Sequence, residues 1–329
     1  MRLLLLHMHK SGFVNIIGKP NVGKSTLMNA FLGEKLSIVT KKAQTTRHRI
    51  RGIMNGEVTE DAGKIEYQIV YSDTPGIVDA HYKLHEAMMN FVNEALNDAD
   101  VILFVIEIRD KNPIDAKTLA KLKNQKCPVL VLINKIDLGV QDLLEKKVEE
   151  WKELLPNAEV IPVSALEKFN TDYVLKRIIS LLPEAPPYFP KDELTDKSQR
   201  FFISEIIREQ IFLHYHEEIP YSAEVVVEEF KEDVPLKNVT KDNATITRIR
   251  AIIYVMREGQ KAILIGKGGS ALKNIGTKAR AEIELFLGTD GIRSPSVKAD
   301  KKVFLDLFVK VEKNWRDDAK GLKRFGYIE

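Results

Sequence analysis

Several features are scarce in this 329-residue sequence, and each scarcity excludes a class of protein. The single cysteine, Cys127, excludes an internal disulfide and suits a reducing compartment. No apolar run approaches the roughly 20 residues of a membrane-spanning helix, and residues 3–6 are too few for a secretory signal. With 44% apolar and 29% charged residues, the composition is that of a globular protein, and the length predicts two domains.

Net charge is low over the whole chain but is distributed unevenly. The formal net charge is +3. Residues 259–324 hold 15 Lys and Arg against 8 Asp and Glu, a net charge of +7, which leaves −4 for the remainder. This asymmetry favours an anionic partner for the C-terminal part.

The phosphate loop, residues 18–25, matches the pattern G-x-x-x-x-G-K-S. It lies between a predicted strand at residues 13–17 and a predicted helix at residues 26–32. Its glycines let backbone N–H groups face phosphate oxygens, and the helix N-terminus adds positive potential. We expect Lys24 to reach the β- and γ-phosphates and Ser25 to bind Mg²⁺. The predicted phosphate-binding residues are Gly18, Lys19, Pro20, Asn21, Val22, Gly23, Lys24, Ser25 and Thr26.

A D-x-x-G motif begins at Asp73, directly after a predicted strand at residues 64–72. An Asp at the end of a strand beside a phosphate loop can hold Mg²⁺ through water. For the second direct Mg²⁺ ligand we favour Thr46, in the polar stretch of residues 35–51, and Thr45 remains the alternative. The predicted second switch region comprises Asp73, Thr74, Pro75, Gly76 and Ile77.

The sequence N-K-I-D follows an apolar strand predicted at residues 129–133. The Asp137 carboxylate can accept hydrogen bonds from both the N1–H and the 2-amino group of guanine, a donor pair that adenine lacks. A buried carboxylate left half-paired is costly, so this motif selects GTP over ATP. The predicted guanine-binding residues are Asn134, Lys135, Ile136, Asp137, Ser164 and Ala165.

Strands and helices alternate throughout this half, which predicts a mostly parallel, doubly wound α/β sheet with ligand loops at the strand ends. Two further short strands, at residues 52–58 and 64–72, are predicted to be joined by a turn that contains Asn55-Gly56 and residues 61–63. This half resembles the small GTPases of the translation-factor-related class.

Ras-like GTPases carry a water-orienting glutamine after D-x-x-G, and this sequence has Ile77 there. We therefore expect slow intrinsic GTP hydrolysis. Asn21 matches the asparagine with which similar GTPases bind potassium, so K⁺ is a candidate second cofactor beside Mg²⁺.

Four prolines in residues 182–190 predict a semi-rigid connector. We accordingly predict a GTPase domain at residues 1–183, a linker at 184–197 and a second domain at 198–329. The second domain is predicted to contain a helix, two strands, a strand-like run at residues 261–265, a helix and a final strand, in an α+β layer.

The glycine turn, residues 266–269, fits the G-x-x-G loop of KH domains. Without side chains in the way, its amides can meet nucleic-acid phosphates at a helix start. Lys273 and Arg280 are seven positions apart, so they lie on one face of the following predicted helix. The predicted RNA-binding residues are Ile265, Gly266, Lys267, Gly268, Gly269, Lys273 and Arg280.

Taken together, these motifs resemble the Era family of bacterial GTPases, which join a GTPase domain to a type II-like KH domain. The resemblance implies GTP and GDP binding, contact with 16S rRNA near its 3′ end, and action in 30S ribosomal subunit maturation. It also implies a cytoplasmic protein with peripheral association with the inner membrane, and we expect a monomer. The alternatives are a related GTPase that acts through a protein partner or in tRNA modification, and a non-enzymatic RNA-binding module.

Overall fold

The computed structural model describes residues 8–60, 63–111, 114–235, 245–288 and 301–328. The chain packs as two compact units. The first comprises residues 1–33, 46–79 and 88–196, and the second comprises residues 34–45, 80–87 and 197–329. Among the described residues, no helix is both long and apolar enough to cross a membrane.

The described part of the first unit is built on a six-stranded sheet of order β2-β3-β1-β4-β5-β6. All neighbouring strands are parallel except β2 and β3, which form an antiparallel hairpin. The strands are β1 Met8–Gly18, β2 Ile50–Glu60, β3 Gly63–Asp73, β4 Val101–Glu107, β5 Val129–Asn134 and β6 Glu159–Pro162.

Helices cover the sheet of the first unit. One core cluster joins Ile17 of β1 and Phe104 of β4 to the fully buried Trp151. The Phe104 and Trp151 rings lie 5.4 Å apart. The helices are α1 Lys24–Leu32, α2 Lys83–Asn97, α3 Ala116–Lys123, α4 Gln141–Leu154 and α5 Thr171–Leu181. The first turn of α2 is counted with the second unit.

The turn predicted at Asn55-Gly56 is wrong, because both residues lie inside β2 and pair with Gln68 and Tyr67 of β3. The Tyr67 ring explains the glycine. A Cβ on Gly56 would lie 2.4 Å from the tyrosine hydroxyl oxygen. The hairpin closes between Glu60 and Gly63. Residues 61 and 62, where the remainder of the turn was predicted, lie outside the described residues.

The proline-rich stretch after α5 packs within the first unit up to Asp196. Its backbone is held by the side chain of Gln68, which accepts from the N–H groups of Tyr188 and Phe189 at 2.7 and 2.9 Å and donates to the Phe189 carbonyl at 2.8 Å. Further along, Thr195 bridges to Gly52 of β2. In this structure, the stretch is therefore a strap along the sheet.

The described part of the second unit holds a three-stranded sheet of order β7-β8-β9, in which β7 and β8 are antiparallel and β8 and β9 parallel. The long helices α6 and α9 pack together, and α6 also packs on β7. The elements are α6 Gln199–His214, α7 Ile219–Ser222, β7 Glu224–Pro235, β8 Thr245–Val255, α8 Glu258–Ile265, α9 Ser270–Gly288, β9 Val303–Val311 and α10 Ala319–Arg324.

The strand-like run predicted at residues 261–265 is wrong, because these residues form the second half of α8. The run is too short for its period to separate a strand from a helix. The Gln260 side chain accepts from the Met256 and Arg257 N–H groups at 3.0 Å, which caps the helix start. Leu264 is fully buried and is the apolar residue that anchors the helix.

Candidate functional site

The phosphate loop connects the end of β1 to the start of α1. Gly23 precedes the helix with φ of 101°, a conformation that favours glycine. A Cβ at this position would also lie 2.2 Å from the Asn134 Nδ2 atom. The loop is therefore fixed both by its backbone conformation and by a side chain from the end of β5.

Lys24 is nearly buried, with 6% of its surface exposed. Its ammonium group donates to the carbonyl oxygens of Gly18 and Lys19, at 3.0 and 2.8 Å. Burial lowers the pKa of Lys24 to about 8, although the nearby Asp73 carboxylate acts in the opposite direction. A phosphate bound in the loop would offer this ammonium a full negative charge in place of two carbonyl dipoles.

Three side-chain oxygens converge beside the loop. The Ser25 hydroxyl donates to Asp73 Oδ2 at 2.5 Å and lies 3.0 Å from Thr46 Oγ1. Thr46 in turn donates to Asp73 Oδ2 at 3.4 Å. Mg²⁺ prefers oxygen ligands at about 2.0–2.1 Å in octahedral geometry, so adjacent ligands lie about 3 Å apart. The 3.0 Å between the Ser25 and Thr46 hydroxyl oxygens fits two adjacent Mg²⁺ ligands, and the Asp73 carboxylate beside them fits a group that would hold the ion through water.

Thr45 and Thr46 point to different surroundings. The Thr45 hydroxyl donates to the Lys42 carbonyl at 2.7 Å and lies 2.6 Å from the Thr40 hydroxyl. Only Thr46 brings its hydroxyl to Ser25 and Asp73. Of the two candidates that the sequence leaves open, the geometry favours Thr46.

The D-x-x-G segment leaves β3 and packs directly on the phosphate loop. The Thr74 hydroxyl donates to the Ile16 carbonyl at 2.8 Å, and the Ile77 N–H donates to the Gly18 carbonyl at 3.1 Å. Both Pro75 and Gly76 are buried. The Ile77 side chain packs against the core cluster under the sheet.

The rest of the phosphate loop is more open. Lys19 pairs with Asp110 at 3.2 Å. Asn21 is exposed and has φ of 63°, a left-handed conformation that asparagine tolerates better than most residues. Pro20 and Val22 complete the loop, and Thr26 follows in the first turn of α1.

The predicted base-binding residues meet at the ends of β5 and β6. The Asn134 amide donates to the Val22 carbonyl at 2.8 Å, and its oxygen accepts from the Ala165 N–H at 2.9 Å. Asn134 therefore ties the phosphate loop, its own loop and the loop after β6 together.

Asp137 and Lys135 carry the charges of this predicted base-binding site. The Ser164 hydroxyl donates to Asp137 Oδ1 at 2.6 Å, which orients the carboxylate. Lys135, with φ of 62°, pairs with Glu107 at 2.7 Å. The Ile136 N–H donates to the Val163 carbonyl at 3.4 Å. The arrangement presents one oriented carboxylate, as recognition of a base with adjacent N–H donors requires.

The glycine turn joins α8 to α9 in the second unit. Ile265 ends α8, and the next four residues form a tight turn in which Gly268 has φ of 59°. A Cβ on Gly268 would meet nothing within 4 Å, and both Lys267 and Gly268 are exposed. The turn is therefore open to a ligand from outside.

A groove of about 410 Å³ lies beside the glycine turn. Lys273 and Arg280 of α9 line it, as does Gly269. The opposite wall comes from β9, and sequence reasoning named none of its residues, which are Phe304, Leu305 and Leu307. Leu272, Gly276 and Thr277 of α9 also line the groove and were not named from the sequence. The many apolar residues of β9 are a local signal of such a wall, but its place opposite α9 depends on the parallel pairing of β9 with β8.

Family models match the nucleotide site and the glycine turn in two separate ranges of the chain. Residues 13–135 match the family described as 50S ribosome-binding GTPase, and residues 218–316 match the KH domain family. GTPase Era of Geotalea daltonii is 44% identical over 96% of this chain and 97% of its own length. GTPase Era of Staphylococcus haemolyticus is 40% identical, with 98% of each chain covered.

Solved structures of Era are also similar to this chain over nearly its whole length. An Era structure in complex with MgGDPNP and nucleotides 1506–1542 of 16S ribosomal RNA is 37% identical, with a TM-score of 0.85 over 98% of this chain and 100% of that chain. A single-residue variant of Aquifex aeolicus Era bound to GDP and aluminium fluoride is also 37% identical, with a TM-score of 0.82 over 97% of this chain and 100% of that chain.

Fold and motifs together define a P-loop GTPase joined to a KH domain. The chain belongs to the Era family of GTPases. The predicted family resemblance, the predicted fold class and the predicted GTPase activity are thereby confirmed.

Proposed function

We propose that this protein is a GTP-hydrolysing switch that binds 16S rRNA near its 3′ end and acts in assembly and maturation of the 30S ribosomal subunit. The observation that carries the proposal is the similarity, over 98% of this chain, to Era in complex with MgGDPNP and nucleotides 1506–1542 of 16S rRNA. The phosphate loop and the glycine turn support it, because each suits one of these two ligands.

In the proposed nucleotide site, Lys24 would bind the β- and γ-phosphates, the hydroxyls of Ser25 and Thr46 would hold Mg²⁺, and Asp73 would contact the ion through water. When bound, Mg²⁺ neutralises the charge on the phosphate oxygens. The Asp137 carboxylate, oriented by Ser164, accepts both guanine donors. The 3.0 Å between the Ser25 and Thr46 hydroxyl oxygens supports the metal assignment.

We propose that hydrolysis is slow in the isolated protein. The Ile77 side chain has no hydrogen-bonding group and packs toward the core, so it cannot orient a water. K⁺ at Asn21 would supply part of the missing charge neutralisation. The test is single-turnover hydrolysis in matched NaCl and KCl, with Asn21→Ala as the control. Equal rates in the two salts would contradict the K⁺ assignment.

For the RNA site, we propose that the amides of the glycine turn hold the phosphates of a single strand. The strand would then enter the groove, with Lys273 and Arg280 on one side and the apolar wall of β9 on the other. Single-stranded RNA is well suited to such a groove, because it combines a charged phosphate backbone with the flat apolar faces of its bases.

We further propose that residues 1–183 and 198–329 act as the two functional domains, connected by residues 184–197.

We also propose that the protein is a monomer in the cytoplasm that associates peripherally with the inner membrane. Light scattering on the purified protein tests the monomer. Co-flotation with vesicles of anionic lipid tests membrane association, and a protein that stays at the bottom of the gradient contradicts it.

The experiment that tests the main proposal is ultraviolet crosslinking to total RNA with a non-hydrolysable GTP analogue or GDP bound, followed by sequencing of the footprint. We expect crosslinks concentrated near the 3′ end of 16S rRNA, stronger with the analogue. Gly268→Asp, which places a negative charge in the glycine turn, is the control and removes the footprint. A footprint dominated by tRNA, or none above background, would contradict the proposal.

A further inference from the structure

A buried arginine, Arg49, lies at the start of β2 inside the first unit. It directly precedes Ile50, the first residue of the strand, and its side chain is only 7% exposed. A charged side chain is rarely buried unless it is paired, because burial removes its hydration. Arg49 therefore needs polar partners, and the first unit supplies three of them.

The charged partner of Arg49 is Asp98, the residue that follows α2. Arg49 Nη1 donates to Asp98 Oδ2 at 2.7 Å, and Nη2 donates to Asp98 Oδ1 at 2.9 Å. Two such bonds from a planar guanidinium fix its orientation as well as its distance. Asp98 is held in turn by the Asn15 amide of β1, which donates to Asp98 Oδ1 at 2.7 Å and to the Ala95 carbonyl at 2.6 Å.

The same guanidinium also binds two strands of the sheet. Its Nε and Nη2 atoms donate to the Ser72 hydroxyl of β3 at 3.2 and 3.0 Å, and Nη2 donates to Asn15 Oδ1 at 3.1 Å. Ser72 and Asn15 are fully buried and lie opposite one another where β1 pairs with β3. Arg49 thereby joins the start of β2 to β1, to β3 and to the end of α2.

The contact with β3 lies next to the proposed metal site. Ser72 directly precedes Asp73, whose carboxylate accepts from the Ser25 hydroxyl at 2.5 Å. In the antiparallel pairing of β2 with β3, Ile50 lies opposite Asp73. Arg49 adjoins Ile50 and binds Ser72, so it fastens the two strands together at the end that carries Asp73. The backbone of Asp73 is therefore restrained from both strands.

On the other side of Arg49 in the chain, Thr46 lies three residues earlier and in the same unit. Three residues of extended chain span at most about 11 Å, so a fixed Arg49 limits where Thr46 can lie. Arg47, between them, is fully buried. The Thr46 hydroxyl lies 3.0 Å from Ser25 Oγ and 3.4 Å from Asp73 Oδ2. One buried guanidinium thus restrains the chain on both sides of the proposed metal site.

We propose that Arg49 is a positioning residue for Mg²⁺-dependent GTP hydrolysis, because it holds the segments that bring Thr46 and Asp73 to the metal. This inference rests on the proposed function, in particular on Thr46 and Asp73 as groups that hold Mg²⁺. Arg49 acts through the strands and not on the nucleotide, because its donors are engaged within the sheet and at the end of α2.

The test uses Arg49→Met in the full chain, with Arg51→Met as the matched control. Arg51 lies two positions further along β2, is 32% exposed and pairs with Asp196 at 3.3 Å. For Arg49→Met we expect kcat in single-turnover hydrolysis to fall about tenfold to a hundredfold, as loss of hydrogen bonds from one charged group predicts. We expect a similar rise in the Mg²⁺ concentration that half-saturates binding of a non-hydrolysable GTP analogue. Arg51→Met should change each value by less than about threefold.

Binding of fluorescent GDP in excess EDTA separates positioning of the metal groups from support of the fold. Without Mg²⁺, affinity depends on the phosphate loop and on the base-binding residues, which Arg49 does not hold. We therefore expect Arg49→Met to change this affinity by less than about threefold. Equal losses of affinity with and without Mg²⁺ would overturn the proposal, and so would values for Arg49→Met that match those for Arg51→Met.

A double-mutant cycle with Asp98→Ala tests whether the pair acts as one unit. Asp98→Ala should raise the half-saturating Mg²⁺ concentration, and the double variant should be no worse than Arg49→Met alone. Additive effects would overturn the proposal. If Arg49→Met does not fold, Arg49→Lys replaces it, since lysine keeps a charge beside Asp98 but lacks the fork that also reaches Ser72. A value for Arg49→Lys equal to that of the unmodified chain would contradict the positioning role.

These outcomes are distinguishable from failure of the proposed function itself. If the unmodified chain binds the GTP analogue without any dependence on Mg²⁺, or if Thr46→Ala leaves that dependence unchanged, the assignment of the metal site is wrong. If both behave as expected while Arg49→Met matches Arg51→Met, only the positioning role is wrong.

Discussion

The phosphate loop and the glycine turn use the same physics, since each presents backbone amides at the start of a helix, but their surroundings differ. A Cβ on Gly23 of the phosphate loop would collide with Asn134 at 2.2 Å, whereas a Cβ on Gly268 of the glycine turn would meet nothing within 4 Å. The first loop is fixed by side chains from other loops, as a small ligand of one shape requires. The second is open on one side, as a polymer that passes through requires.

The largest expected effect comes from adding the same methyl group to both loops. Gly23→Ala forces a clash with Asn134 and strains a backbone with φ of 101°, so we expect GTP affinity to fall by about a thousandfold or more. Gly268→Ala has open space and should destabilise folding by only about 1 kcal/mol, from its left-handed backbone. Calorimetric titration with GTP and thermal melts of both variants check the comparison. Equal losses of GTP affinity would show that the two loops are not independent.

The second prediction concerns the base that the phosphate loop receives. In Asp137→Asn, the carboxylate that Ser164 orients becomes an amide, which can donate to the 2-carbonyl of xanthine but cannot accept both guanine donors. We expect GTP affinity to fall by about a hundredfold or more, and affinity for xanthosine triphosphate to rise. Competition binding of the two nucleotides measures the change. Retained preference for GTP would contradict recognition of guanine by Asp137.

The sequence predicted features whose chemistry is contained in a short segment, and it failed where the structure depends on residues outside that segment. The phosphate loop, the D-x-x-G motif and N-K-I-D are short segments whose chemistry is local, and each begins at the last residue of a strand, within one residue of the expected place. The turn predicted at Asn55-Gly56 failed because Gly56 pairs with Tyr67 across the β2–β3 hairpin, and the Tyr67 ring packs where a side chain would lie, which overrides the usual turn preference of that pair. The prediction at residues 261–265 failed because a run of only four apolar residues, 262–265, fits either a strand or a helix.

Other features depend on pairs of residues far apart in the chain. No local pattern indicates that Arg208 holds the carbonyl of Thr45, 163 residues earlier. The groove wall on β9 likewise depends on the register of β8 and β9, which sets Leu305 opposite Ile249 and Leu307 opposite Ala251. Helix α4 was not predicted either, although Trp151 in its last turn is a fully buried tryptophan of the core cluster. The mainly polar sequence of α4 hides its buried face.

The third prediction addresses the glycine turn. Gly268→Asp places a carboxylate where the proposed RNA phosphate binds, so we expect RNA affinity to fall by about thirtyfold to a hundredfold while GTP affinity is unchanged. Gly259→Asp is the matched control, since it adds the same charge to α8 at a site that also has open space. Fluorescence anisotropy with a labelled oligonucleotide of the 16S 3′ end measures both. If the two variants bind RNA equally well, the glycine turn is only a connection between helices.

The smallest expected effect tests whether the apolar wall of the groove binds bases. Phe304 and Phe308 both lie on β9 and are 55% and 44% exposed, but only Phe304 lines the groove. The Phe308 ring instead faces the Arg250 guanidinium at 5.5 Å. Loss of one stacked base predicts that Phe304→Ala weakens RNA binding about tenfold, whereas Phe308→Ala leaves it nearly unchanged. Because the two substitutions remove the same ring from the same strand, equal losses would mean that the strand only supports the fold. A loss of RNA affinity for Phe304→Ala alone would mean that the glycine turn is one end of an RNA-binding surface that continues along α9 and β9.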